Sequence, residues 1–126
     1  MDSLGFEIDP DVEKASTPPG SFHSDPLLFE RVKSRVFVPS WQIACDFAEV
    51  QAAGSVRPLV LHEGLLAEPL VLTRDAGGRI HGLSNVCTHR GNVVVGEPGE
   101  KSTLVCGYHG RRFDLDGTFR ARTRPW

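Results

Sequence analysis

Cys87-Thr88-His89-Arg90-Gly91-Asn92 and Cys106-Gly107-Tyr108-His109-Gly110 are the two stretches that decide how this chain is read. Sixteen residues separate His89 from Cys106. Each stretch offers one thiolate and one imidazole in the same Cys-then-His order, and each follows a segment of strand character. Two such loops at neighbouring strand ends can meet face to face, which is what a metal centre needs. Zinc also takes two Cys and two His, but its usual order is a Cys pair followed by a His pair. The repeated Cys-His order favours a centre to which each loop gives one sulfur and one nitrogen, with structural zinc as the alternative.

Working outward, the flanking sequence is short, β-rich and broken by turns. Strands are expected at 41–44, 58–62, 69–73, 79–84, 103–106, 112–115 and 118–119. They are separated by Gly54, Gly64, the hairpin run Asp75-Ala76-Gly77-Gly78 and the tight turn Asp116-Gly117. Before them, Ser24 or Asp25 can cap a helix with Pro26 in its first turn. Leu27, Leu28, Val32 and Val36 fall at helical spacing on one apolar face, and Pro39 ends the pattern. Thr17-Pro18-Pro19-Gly20-Ser21 cannot hold regular structure. The expected organisation is an extended arm over 1–24, a lead-in helix over 25–40 and an antiparallel, mainly β domain over 41–126.

Composition narrows the class. With 126 residues, 40% hydrophobic, 24% charged and a formal net charge of −2, the chain has the size and balance of one ordinary domain. No overall charge argues for nucleic acid. The N-terminus has neither a basic nor an apolar signal region, and aliphatic runs such as Leu59-Val60-Leu61 are too short to span a membrane. Three Cys without a Cys-x-x-Cys pair make a poor disulfide framework, so a cytoplasmic protein that uses cysteine for metal is expected. Residues 1–30 hold seven acids against Lys14, and the last sixteen hold five arginines against two acids. Such runs are ordinarily solvated faces, although the basic end suits an acidic electron donor.

The Cys87-x-His89-Arg90-Gly91-Asn92 and Cys106-x-Tyr108-His109-Gly110-x-x-Phe113-Asp114 motifs resemble the Rieske [2Fe–2S] domain of the α subunits of ring-hydroxylating, non-haem iron oxygenases. The likeness extends through the lead-in Phe29-Glu30-x6-Phe37-x3-Trp41 and Gly78-Arg79-Ile80-x5-Val86-Cys87, from about Phe29 to Phe119. It implies an antiparallel β sandwich with two cluster-binding loops. In a Rieske centre two Cys bind one iron and two His the other. The implied ligands are Cys87, His89, Cys106 and His109. Arg90, Gly91, Gly107, Tyr108 and Gly110 surround them, the glycines letting N–H groups approach the sulfurs. Respiratory-chain Rieske proteins carry a disulfide whose positions match Asn92 and Tyr108, so that bridge cannot form here. One departure is Arg111, where oxygenase α subunits commonly have Trp after His-Gly.

The resemblance further implies electron transfer from a ferredoxin or flavin reductase to a mononuclear iron, in the family that of a neighbouring subunit in a homo-oligomer, for aromatic hydroxylation. That iron needs two His and a carboxylate. Only His23, His62 and His81 remain, with no His-x4-His pair, so the catalytic iron is expected to lie outside these residues and the chain to be an N-terminal part or truncation. A free-standing Rieske ferredoxin and a non-functional fragment are the alternatives.

Overall fold

The computed structural model describes residues 6–61 and 68–122 and divides the chain into two compact units, 1–41 and 42–126. His62, Gly64 and Arg124 lie outside the described residues.

In the first unit, α1 (Pro26–Val32) begins as its sequence dictates. The Asp25 carboxylate accepts from the N–H of Leu27 at 2.8 Å and of Leu28 at 3.4 Å, with Pro26 in the first turn. The helix is shorter than expected, passing into a single π-helical stretch at Lys33–Phe37. That widening shifts the phase of the apolar pattern. Of the predicted face only Leu28 is buried, while Leu27 and Val36 are 78% and 54% exposed. The arm is not uniformly extended: Gly20–His23 forms a 3₁₀ turn, and the Phe6 and Phe22 rings meet edge to face at 5.5 Å.

The second unit is antiparallel β structure. β1 (Ser55–Val60), β2 (Pro69–Arg74), β3 (Ile80–Ser84) and β4 (Gly99–Glu100) form a sheet in the order β3-β2-β1-β4. β5 (Leu104–Val105), β6 (Arg111–Phe113) and β7 (Phe119–Arg122) form a second sheet in chain order. Among the described residues β4 pairs with Ser55 and Val56 only, which leaves this side of β1 unpaired from Arg57 onward and tolerates Pro58 there. The β2–β3 hairpin turns where expected: Gly78 N–H donates to Asp75 O at 3.0 Å, and Gly78 takes a φ of +83°. The Asp75 carboxylate holds the turn from both sides, accepting from Arg79 N–H at 2.9 Å and meeting His81 Nε2 at 2.8 Å.

The expected strand at 41–44 is absent. Trp41 and Ile43 are 102% and 96% exposed, and no neighbouring strand pairs with this stretch among the described residues. Instead Asp46 and Glu49 form a capping box that starts a 3₁₀ turn, Phe47–Val50. Cys45, just before it, is half-buried, and burial together with the Glu49 charge raises its thiol pKa. β4 was not legible beforehand, because two residues of Gly and Glu carry no strand signal.

The two sheets share one small core. Val56 and Val71 from the first sheet pack with Leu104, Phe113 and Leu115 from the second unit's far end, and Val95, Cys87 and Cys106 complete the cluster. Thr73, fully buried on β2, donates its hydroxyl to Leu115 O and so ties the first sheet to the loop after β6. Both cysteines of the paired motifs are therefore core residues. Among the described residues no helix is long and apolar enough to cross a membrane.

Candidate metal centre

Loop 87–92 follows β3, and loop 106–110 joins β5 to β6. The two loops repeat the same backbone closure. In the first, Gly91 N–H donates to Cys87 O at 3.0 Å and Cys87 N–H to Asn92 O at 2.8 Å. In the second, Gly110 N–H donates to Cys106 O at 2.9 Å and Cys106 N–H to Arg111 O at 2.9 Å. The glycine four residues after each cysteine has a φ of +69° or +68°, a conformation that side-chain-bearing residues rarely adopt. The two turns therefore share one backbone closure, although His89 follows its cysteine by two residues and His109 by three.

Each loop is clamped at its base. The first is closed by the Val86–Val93 bridge and, more firmly, by Asn85. This buried side chain donates from Nδ2 to Val95 O at 2.7 Å and accepts from Val95 N–H at 2.8 Å. Its backbone N–H donates to Pro69 O at 2.8 Å, and its carbonyl accepts from Val94 N–H at 3.0 Å. Asn85 thus closes the base of the loop onto Val94 and Val95 and ties it to β2 through its own N–H. The second loop is closed by the pairs Leu104–Phe113 and Val105–Arg112.

At the loop tips the four predicted residues separate by depth. Cys87 and Cys106 are 3% and 2% exposed, whereas His89 and His109 are half-buried. The two imidazole rings meet edge to face with centroids 4.7 Å apart and planes at 71°. The cysteine side chains are within hydrogen-bonding reach of each other. Burial pushes the Cys106 thiol up. The backbone N–H of Tyr108, the side chain of Cys87, the N–H of His109 and the Asn92 amide together outweigh that penalty, leaving the thiol below its ordinary value.

Among the described residues, no three His, Cys, Asp or Glu side chains converge on a point that one ion would occupy. A sulfur pair inside and an imidazole pair outside instead suit a two-metal group, with N–H donors already aimed at a sulfur. The residues present fit a [2Fe–2S] cluster.

The surrounding residues divide by role. Tyr108 lays its ring on His109, centroids 3.8 Å apart, and is 57% exposed. Arg90 is exposed on the first loop. A Cβ on Gly107 would meet no protein atom within 4 Å. Sequence reasoning missed Asn85 and the amide contact from Asn92 to Cys106 Sγ at 3.7 Å. A lone Asn two residues before Cys87 carries no signal of its own, and Asn92 was read only as the residue occupying a disulfide position.

A family model, the Rieske [2Fe-2S] domain, matches residues 40–125. The chain belongs to the Rieske [2Fe–2S] domain family. Domains of this family bind a [2Fe–2S] cluster and serve electron transfer. Choline monooxygenase of Spinacia oleracea is 33% identical over 94% of this chain, and the Pseudomonas aeruginosa glycine betaine monooxygenase oxygenase subunit is 36% identical over 79%. The quaternary ammonium Rieske monooxygenase CntA superposes with a TM-score of 0.78 at 26% identity over 87% of this chain. Naphthalene 1,2-dioxygenase gives 0.69 at 26% identity over 81%. The match covers 26% of the spinach enzyme, 22% of the Pseudomonas subunit and 30% of the CntA chain. This Rieske domain thus corresponds to the N-terminal Rieske part of oxygenase α subunits.

Proposed function

We propose that Cys87 and Cys106 hold one iron of the cluster and His89 and His109 the other, and that the chain relays single electrons as the N-terminal part of an oxygenase α subunit. The cluster, when bound, accepts and releases one electron at a time. The protein's own residues set the conditions. Cys87 and Cys106 anchor the group in the core, the N–H groups of Tyr108 and His109 favour charge on the sulfur, and the half-buried imidazoles form the outward edge where a partner can approach. The observation that carries this reading is the separation into a buried sulfur pair and an outward imidazole pair whose rings stand 4.7 Å apart.

In this reading a ferredoxin or flavin reductase supplies the electron and a mononuclear non-haem iron outside these residues accepts it, on a catalytic domain or a neighbouring subunit of a homo-oligomer. The setting is cytoplasmic. For the substrate of the whole oxygenase, aromatic hydroxylation was the expectation from sequence. The choline, glycine betaine and carnitine monooxygenases among the relatives favour a quaternary ammonium compound instead.

The test is loading followed by transfer. Anaerobically purified chain should carry two irons and two acid-labile sulfides, and one electron per chain should pass from a reductase to the cluster. Zinc in place of iron, or soluble chain that takes up no iron on reconstitution, contradicts the reading.

A further inference from the structure

Arg111 closes the second loop through its backbone and reaches the first through its side chain. Its carbonyl accepts from Cys106 N–H, and its Nη1 donates to Thr88 Oγ1 at 3.0 Å, on the residue between Cys87 and His89. The guanidinium carbon lies 5.3 Å from the centre of the Phe119 ring. Its Nε is buried and has no hydrogen-bond partner. Among the described residues no carboxylate forms an ion pair with it.

The residue as a whole is half-buried and its bond to Thr88 lies at the surface, yet a fixed cation still stabilises negative charge that develops close by. Reduction adds one negative charge to the cluster. We infer that Arg111 is a positioning residue that ties the two ligand loops together through Thr88 and raises the cluster's reduction potential with its uncompensated charge. This rests on the ligand assignment proposed above. A tryptophan at this position would fill space beside the loops without supplying either the tether or the charge.

The tether and the charge separate by mutation. Arg111→Gln removes both, Arg111→Lys keeps the charge without the planar fork, and Thr88→Val keeps Arg111 but removes its acceptor. The cluster-loaded chain is titrated for its midpoint potential, and loss of iron to a chelator is timed. Arg111→Gln should lower the potential and speed iron loss several-fold. Arg111→Lys and Thr88→Val should hold the potential near wild type while losing iron faster. Should the Gln variant fail to load, Lys and Val variants that release iron at the wild-type rate overturn the tether. A Lys variant whose potential falls clearly below wild type overturns the role of charge. A loaded Gln variant at the wild-type potential overturns this inference alone. Wild-type chain that never holds two irons overturns the cluster reading and this inference with it.

Discussion

The side-chain amide of Asn92 reaches across from the first ligand loop to the sulfur of Cys106 in the second, with Nδ2 3.7 Å from Sγ. The same amide donates to Val93 O at 2.7 Å, which fixes its orientation.

Hydrogen bonds to a cluster sulfur favour the reduced, more negative state. Asn92→Ala should therefore lower the midpoint potential while leaving the EPR line shape of the reduced cluster in place. Asn92→Asp, which adds a negative charge, should lower it further. A potential unchanged in both variants would show that the amide does not act on the cluster.

Asn85 supplies a second, independent prediction, one of stability. Its side chain satisfies both the N–H and the carbonyl of Val95 inside the core. Asn85→Ala strands both groups away from water, at a cost of about 3 kcal/mol. Urea unfolding of the apo chain measures this, and hydrogen exchange should accelerate first at the Val94 and Val95 amides.

Gly91 and Gly110 bear positive φ, whereas Gly107 does not. A Cβ at Gly91 or Gly107 meets no protein atom within 4 Å, so sterics with the protein cost nothing at either site. Gly91→Ala and Gly110→Ala should each cost about 1–2 kcal/mol from backbone strain alone. Gly107→Ala should leave apo stability at wild-type level. Equal loss in all three would contradict the turn geometry as the cause.

Asp75 gives the acid limb of the stability curve a specific source. Its hydrogen bond with His81, then that from Arg79 N–H, holds the carboxyl below its ordinary value of 3.8. A depressed folded value adds stability above the unfolded value, and that increment disappears as pH falls through the folded one. Asp75→Asn should be less stable than wild type near neutrality, with the gap closing below about pH 4. A gap constant from pH 6 to pH 2.5 would remove Asp75 from the acid response.

Legibility in the sequence followed how local the determining physics was. The paired loops, the helix start at Asp25 and the turns at Gly78 and Gly117 depend on neighbours within five residues, and all were readable. The strand at 41–44 was misread because apolar alternation in Trp41–Ala44 suits a strand only when another strand pairs with it. The apolar face of α1 failed past Val32 because a π-helical stretch changes the period. Asn85, the Arg111–Thr88 contact and β4 were invisible, since each depends on a partner 10 or more residues away. At the centre, residue types and order announced the chemistry, but only the folded chain revealed the difference in depth between sulfur and imidazole.

The most direct test of the central assignment is pulsed electron–nuclear double resonance on the dithionite-reduced chain labelled with ¹⁵N-histidine. Two distinct ¹⁵N couplings to the cluster are expected, one disappearing in His89→Cys and the other in His109→Cys. A cluster that shows no histidine nitrogen coupling, or whose two couplings survive either substitution, would contradict it.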